Sequence, residues 1–505
     1  MSSAAPVYNA PMPTSPSGAP LIVALDIGTS STRALLYDSR GDLLPDRAVQ
    51  IAYDQRYLDG GGVECDADAL LDDTLTALKR LLKACTASER TRIAAVAASC
   101  FWHALMGIDG HGNAVTPLYS WADTRSSGEI ERLRAALEPG AYHARTGAFV
   151  HPTYWPAKIL WLRHAQPHVA DRVKRWVSFG DYLALKLGGR AMTSLSIASG
   201  TGLVDEQSGQ WDDKTLSALS LATEELPEIA SDDASFTLLD AKALPGLADV
   251  PWHLSLGDGV CSNIGAGGVD QTRLVINVST SGAIRILTEK PRREVAEGLF
   301  RYRLDTRRYC IGGAISNGGN VYAWLLNTLQ LGDPKRLEKA LEQAEPDGHG
   351  LTVLPFWAGE RSPGWHAGVT AEIVGLTLGA GPRQIAQASL EGIAYTLRTL
   401  RRDLLAAFPL ATQLIVSGGA VEKSRYMQKL LASALNAPVR VSRDPQPSGR
   451  GAALASLERL GLLKSLEKSP DKLSRPVEPD PEAAEAYEKG HARWEALYAE
   501  RIGRK

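Results

Sequence analysis

From Leu21 onward, short apolar runs alternate with clusters of glycine and hydroxyl residues. Leu21-Ile22-Val23-Ala24-Leu25 is continuous and apolar, the pattern of a strand covered on both faces. Asp26-Ile27-Gly28-Thr29-Ser30-Ser31 supplies turn chemistry, and Thr32 to Tyr37 reads as the returning strand of a hairpin. Glu64 to Ala87 predicts a helix, since Leu70, Leu71, Leu75, Leu78, Leu81 and Leu82 fall near helical spacing. The opening then recurs roughly 250 residues later. Leu274-Val275-Ile276-Asn277-Val278 reads as a strand, Ser279-Thr280-Ser281-Gly282 as a hydroxyl-rich turn, and Ala283 to Leu287 as a returning strand. Two such hairpins, one near the start and one near the middle, suggest two related halves.

The second half continues with two strand–diglycine–helix units. One runs from Tyr309 to Leu329 through Gly312-Gly313 and Gly318-Gly319; the other runs from Leu414 through Gly418-Gly419 into a helix from Ser424 to Leu435. Between them Pro382 to Phe408 predicts a long helix, with Ile385, Ile393, Leu397, Leu400 and Leu404 on one stripe and Pro382 in its first turn. Residues 464–480, rich in Lys, Pro, Asp and Glu, read as a linker before a last helix from Pro481 to about Arg501. The organisation predicted is a leader over 1–20, an N-terminal α/β domain over 21–255, a C-terminal one over 256–463, and a linker with a terminal helix over 464–505. The leader has five prolines and no charged side chain, which predicts disorder and lacks the basic start of a secretory signal.

Composition narrows the class. At 505 residues, with 55 Lys+Arg against 57 Asp+Glu, the chain is long enough for two cores and carries a formal charge of only -2. That balance argues against a nucleic-acid coat or an acidic tail. Cys65, Cys85, Cys100, Cys261 and Cys310 are scattered and odd in number, so a reducing, cytoplasmic setting is expected rather than a disulfide framework or zinc site. No apolar run approaches the roughly 18 residues of a membrane span. The expectation is a soluble globular protein without nucleic acid or membrane as partner, in which a homodimer is possible.

Glycine lets a backbone approach a ligand closely, successive N–H groups form a concavity for anions, and neighbouring Ser and Thr add donors for phosphate oxygens. Four glycine-rich turns, two of them lined with hydroxyls, therefore point to a nucleotide phosphate. Neither G-x-x-x-x-G-K-[ST] nor G-x-G-x-x-G opens a helix here. Each turn alone is also compatible with plain hairpin geometry, and Asp258 in Gly257-Asp258-Gly259 with an ordinary Asp-Gly turn.

Taken in order, these segments resemble the FGGY carbohydrate kinases, the sugar-kinase branch of the actin-like ATPase superfamily, over about residues 21–460. Ala24 to Arg33 looks like the family's first phosphate motif and Asn277 to Gly282 like its second. Gly257-Asp258-Gly259 stands where the family carries its catalytic aspartate. Ala371 to Glu391 fits the C-terminal signature, and Ser417-Gly418-Gly419-Ala420 resembles the adenosine motif. The N-terminal signature is matched by Lys158-Ile159 and Trp161-Leu162 but not by Thr153 or Trp155. The resemblance implies two actin-like (ribonuclease H-like) domains with a nucleotide cleft between them, and ATP with Mg2+ as cofactors.

It also implies roles. Asp258 would be the general base and a substrate contact, and Asp26 the metal ligand. Thr29, Ser30, Ser31, Arg33, Ser281, Gly282, Gly319 and Gly419 would touch the nucleotide. Lys423 stands where some relatives carry an adenosine-binding Asn. Trp102 and His103 occupy a segment that touches the sugar. In Ser120 to Ser126, Asp123 can accept from hydroxyls and Arg125 can fork onto a carboxylate; a surface Asp–Arg pair is the other reading of those two. The string Trp121-Ala122-Asp123-Thr124-Arg125-Ser126, with Phe149 to Pro152, Ile311 to Gly319 and Ala358 to Pro363, looks most like the gluconate kinases of the family. That makes Arg125 and Arg361 the expected partners of a sugar-acid carboxylate. The reaction expected is ATP-dependent phosphorylation of a primary hydroxyl, D-gluconate to 6-phosphogluconate. A xylulose or other pentulose kinase, and a catalytically silent actin-like ATP-binding regulator, are the alternatives.

Overall fold

The computed structural model describes residues 18–242, 244, 246–289, 296–366 and 368–503. The leader expected over residues 1–20 lies almost wholly outside the described residues. The first hairpin forms as the apolar pattern requires: β1 (Leu21–Ile27) and β2 (Ser31–Tyr37) pair antiparallel, with Asp26 opposite Arg33. β3 (Leu43–Ala52) continues antiparallel beside β2. The helix expected over 64–87 is shorter, α1 (Ala67–Ala84). Glu64 and Cys65 are instead strand residues paired with Tyr119 and Leu118, and Asp66 caps the helix by accepting from the amides of Asp68 and Ala69. β4 (Ile93–Cys100) then lies parallel to β1, and β5 (Leu256–Gly257) parallel to β4.

Immediately after β5, α2 (Asp258–Gly265) begins, and the second sheet repeats the first. β6 (Arg273–Val278) and β7 (Gly282–Thr288) make the second hairpin. β8 (Phe300–Arg303) and β9 (Tyr309–Ile315) extend it antiparallel on the β7 side, with Gly312-Gly313 inside β9 rather than in a turn. α3 (Gly319–Thr328) and the long α4 (Pro382–Ala407) follow. β10 (Gln413–Ser417) lies parallel to β6, α5 (Arg425–Ala434) follows, and β11 (Val439–Val441) lies parallel to β10. The orders β3-β2-β1-β4-β5 and β9-β7-β6-β10-β11 therefore match strand for strand and direction for direction. The two related halves are real, and both carry the ribonuclease H-like arrangement.

The halves are not separated at one point in the chain. α6 (Pro447–Arg459) returns to the first half, where Leu454 and Leu457 are fully buried in the same core as Leu21 to Leu25. Its run Ala452-Ala453-Leu454-Ala455 is apolar nearly all round, the composition of a helix enclosed on every side. α6 crosses α2 backbone against backbone: a Cβ on Gly451 would stand 1.9 Å from the Cys261 carbonyl oxygen, and one on Gly265 1.8 Å from that of Pro447. Arg450, 1% exposed, ties the crossing by donating to the carbonyls of Gly265 (2.8 Å), Gly41 (3.1 Å) and Pro470 (2.6 Å). α6 thus completes the first core although it lies in the span 256–463 that also carries the second sheet.

β8 is the other bridge. It belongs to the second sheet, yet Arg301 N donates to Gly147 O (2.9 Å) and Arg303 N to Ser199 Oγ (2.9 Å) of the first half. The predicted linker is ordered along the sheet edge, with Leu473 and Val477 bridged to Ser442 and Val439. The last helix, α7 (Pro481–Arg501), seats Tyr487, Trp494, Leu497 and Tyr498 in the second core of its own chain. Among the described residues all five cysteines are buried and unpaired, and no helix is long and apolar enough to cross a membrane.

The α2–α6 crossing predicts that Gly451→Ala, which forces two backbones apart, lowers stability by about 1–3 kcal/mol in urea unfolding. Gly128→Ala, where an added Cβ meets nothing within 4 Å, should leave it unchanged. Equal effects of the two substitutions would show that the crossing tolerates separation.

Candidate active site

Each hairpin closes through a turn that the rest of its own half holds in place. In the first, Gly28 N donates to Ser31 O (3.0 Å), and Tyr53 fixes the loop twice, through its amide to Ser30 O (3.1 Å) and through its phenol to Gly28 O. Thr29 and Ser30 stay accessible, whereas Ser31 is buried in β2. Arg33, expected at the phosphates, reaches across the hairpin to Asp26 Oδ2 (2.8 Å) and to Gln50 Oε1 (3.2 Å). In the second hairpin Ser279 O accepts from Gly319 N (2.6 Å) and Thr280 O from Asn320 N (3.1 Å). Gly318 and Gly319 lie so close to that turn that a Cβ on either would fall within 2.8 Å of its backbone oxygens. Asn277 Nδ2 donates to Ser417 Oγ (3.0 Å), joining the second turn to the Gly418-Gly419 segment. There Gly418 adopts φ +97° with its Cα against Val278 O, and Gly419 faces open space. Lys423 is exposed just beyond.

Asp258 is the first residue of α2, at the floor of the cleft. Its Oδ1 accepts from Gly259 N (2.8 Å) and Trp102 N (3.3 Å). Burial pushes its carboxyl upward, the Arg285 charge and these two amides pull it down, and the Asp26 charge pushes it up again. Asp26 is likewise raised by burial against the pull of Arg33 and Ser99. The glycines flanking Asp258 make room for an indole: a Cβ on Gly257 would come within 1.9 Å of the Trp102 ring and one on Gly259 within 2.4 Å. Trp102 is locked by Nε1 donating to Ser196 O (2.8 Å).

A cavity of about 80 Å3 opens between Asp258 and the second turn. Asn277, Ser281 and Gly282 line its second-half side, and Trp102, His103 and Trp121 its first-half side. His103 holds φ +69°, and its Nδ1 lies 2.5 Å from Gly200 O. Since a carbonyl only accepts, Nδ1 carries the proton and Nε2 is left as an acceptor. Burial drives the ring well below the usual histidine range, so it stays neutral. Lys158 supports the segment, donating to His103 O (3.0 Å) and Thr153 O (2.7 Å).

Asp123 and Arg125 are not brought to the cavity. Arg125 Nη2 pairs with Asp123 Oδ2 (2.5 Å) and Glu64 Oε2 (2.7 Å), its guanidinium packs over Tyr119 and Trp161, and Asp123 Oδ2 also accepts from Val63 N (2.9 Å). Their fork is spent on each other and on Glu64, which leaves Trp121 as the member of that string that lines the cavity. Its face carries Arg361, whose guanidinium lies 4.6 Å away. Arg285, Phe300, Tyr302 and Trp365 complete the wall and were not singled out from sequence. For Arg285 a signal existed, a single charge inside the apolar run Ala283 to Leu287.

Two hydroxyl turns from matched hairpins, facing a buried carboxylate at a helix start, define a phosphotransferase cleft, and the comparisons agree. Residues 21–265 match the N-terminal domain and residues 274–457 the C-terminal domain of the FGGY family of carbohydrate kinases, so the chain belongs to that family and is a sugar kinase. It is 26% identical to the gluconokinase of Bacillus subtilis (strain 168) over 464 residues, 89% of this chain and 90% of that one. Among solved structures it is similar to a gluconate kinase from Lactobacillus acidophilus, with TM-score 0.88, 26% identity and coverage of 96% and 98%. A xylulose kinase from the same organism gives TM-score 0.88 and 26% identity, with coverage of 95% and 98%.

Lys158 gives this site a testable electrostatic signature. Burial pushes its ammonium down to about 7, with the Asp123 charge opposing, whereas an unfolded lysine titrates near 10.4. Between these values the unfolded chain binds the extra proton, so this group's contribution to stability rises with pH from about 7 to about 10. Lys158→Met should lower the melting temperature at pH 7, because two carbonyls lose their donor, and should flatten the rise toward pH 10. An unchanged pH slope in melts of the two proteins would mean that Lys158 keeps its charge.

Proposed function

We propose that this kinase transfers the γ-phosphoryl of ATP to the primary hydroxyl of a sugar acid, D-gluconate to 6-phosphogluconate, with Asp258 as general base. The observation that carries the reading is the position of Asp258, between the hydroxyl turns and the cavity, with one carboxylate oxygen held by two amides. Phosphoryl transfer asks the protein for orientation and for charge neutralisation more than for covalent chemistry. The amides of Trp102 and Gly259 hold Oδ1 of Asp258, and Oδ2 is the oxygen that takes the hydroxyl proton. The upward push of burial makes this carboxylate a better base than one in water. The Trp102 ring fixes one side of the acceptor and His103 Nε2 accepts from one of its hydroxyls. Thr29 and Ser30 from the first turn, and Ser281 with Gly282 from the second, donate to the phosphates; Gly319 and Gly419 leave room for the nucleotide, with Lys423 at its outer edge.

The donor set suits Mg2+. Asp26 and Asp258 are buried carboxylates within electrostatic range of each other at the phosphate turns, and hard oxygen ligands of this kind are what the ion takes. Asp26 would hold it, with Arg33 orienting the carboxylate, and the ion when bound neutralises phosphate charge. Enclosure of the acceptor between the halves keeps water from competing for the phosphoryl group.

A ketose acceptor such as D-xylulose is the second reading, favoured by the equal likeness to a xylulose kinase structure. Steady-state turnover with Mg-ATP over D-gluconate, D-xylulose, L-ribulose and glycerol separates the two. Asp258→Asn should reduce kcat on the preferred acceptor by roughly 10²–10⁴-fold while calorimetric ATP affinity is retained. Undiminished turnover in that variant would remove Asp258 from the mechanism.

A further inference from the structure

Two guanidinium groups face the cavity without a carboxylate to answer them. Arg361 is 8% exposed; its Nε donates to Ser316 Oγ (3.2 Å) and its Nη2 to Ile315 O (2.9 Å), both neutral acceptors. The Trp121 face fixes the plane of the group, and Nη1 meets no acceptor among the described residues. Arg285 comes from β7, opposite Gly312. A Cβ on Gly312 would stand 3.0 Å from its Cγ, and one on Gly259 3.0 Å from its Nη2, so two glycines clear the path of this side chain toward Asp258. Arg285 Nε is buried and has no hydrogen-bond partner among the described residues. Neither arginine has a carboxylate within 4.0 Å among those residues.

The cavity wall therefore carries two positive charges against the one negative charge of Asp258. An uncompensated guanidinium in a water-poor cavity is costly, and the usual resolution is an anion seated between the donors. Burial and the neighbouring Arg285 charge depress Arg361 to about 10, against the opposing pull of Tyr302, Tyr154 and Asp258. The first-half partner of Arg361, Trp121, belongs to the acceptor side of the cleft rather than to the phosphate turns.

We propose that Arg285 and Arg361 together seat the carboxylate of the acceptor and so select a sugar acid over a neutral sugar. This deepens the reading given above and rests on it. Planar guanidinium donors match a carboxylate in geometry as well as charge, and a neutral alditol presents nothing to repay their desolvation.

The test compares D-gluconate with D-glucitol, in which a neutral CH2OH replaces the carboxylate. With the full-length protein, wild type is expected to favour D-gluconate in kcat/KM. In Arg361→Leu and Arg285→Leu the ratio of kcat/KM for D-gluconate to that for D-glucitol should fall by roughly 10–100-fold, chiefly through KM for the acid. Arg361 also holds β9, so its variant is checked by melting temperature; Arg285→Leu loses no protein hydrogen bond and stands as the second probe. Calorimetric binding of D-gluconate without nucleotide should be lost in both arginine variants. If wild type turns over both acceptors alike, or if kcat falls equally for both in the variants, the arginines serve the transferring phosphoryl or the frame and the carboxylate seat is wrong, while the kinase reading stands. If no acceptor is turned over by wild type and D-gluconate does not bind, both readings fall.

Discussion

The molecule depends on the contact between α2 and α6. These helices touch main chain to main chain because Gly265 and Gly451 carry no side chain where each meets the other's partner. α2 begins at Asp258, directly behind the last parallel strand of the first sheet, and its far end leads to the second sheet. α6 comes from the end of the second sheet and fills the core of the first. The floor of the cleft is thus shared covalently by both halves, and the carboxylate sits where any shift between them is smallest. Arg450, bonded to three carbonyls from three separate stretches of chain, holds that floor rigid.

Around this floor the electrostatics are arranged by burial. Burial raises the carboxyls of both Asp26 and Asp258, and in each an arginine and backbone or hydroxyl donors oppose the rise. Trp102 threads between the two glycines that flank Asp258, so its backbone amide holds the carboxylate while its indole lines the cavity. His103, next in the chain, is forced into a left-handed backbone conformation and neutral protonation by the same packing. Two of the non-glycine residues with positive φ, His103 and Trp365, line the cavity.

Much of the fold was legible in the sequence, for identifiable reasons. Continuous apolar runs closed by Asp, Gly and hydroxyl residues gave both hairpins, and the leucine spacing gave α1 and α4 to within a few residues at each end. What escaped was long-range. Nothing local to Ala452-Ala453-Leu454-Ala455 says that its burying partner is a sheet four hundred residues upstream. Asp123 and Arg125 looked like ligand groups because their chemistry suits one; Glu64, remote in sequence, absorbs that chemistry instead. The glycines that flank Asp258 make room for the Trp102 ring, a partner 156 residues away from Asp258 in sequence that no local pattern names. Arg285 was overlooked because a strand surrounded by apolar neighbours invites a packing explanation for every member.

The last helix has a consequence for how the protein is made. Tyr498, in the final turn of α7, donates to Glu360, which also accepts from the amides of Gly364 and His366 and thereby shapes the loop next to Arg361. Leu454 and Leu457 likewise close a core whose first strand begins at Leu21. As the chain leaves the ribosome, its first sheet waits for α6, and the arginine loop waits for α7. The first core is therefore closed only once synthesis has passed Arg459, and until then its sheet lacks the helix that covers it.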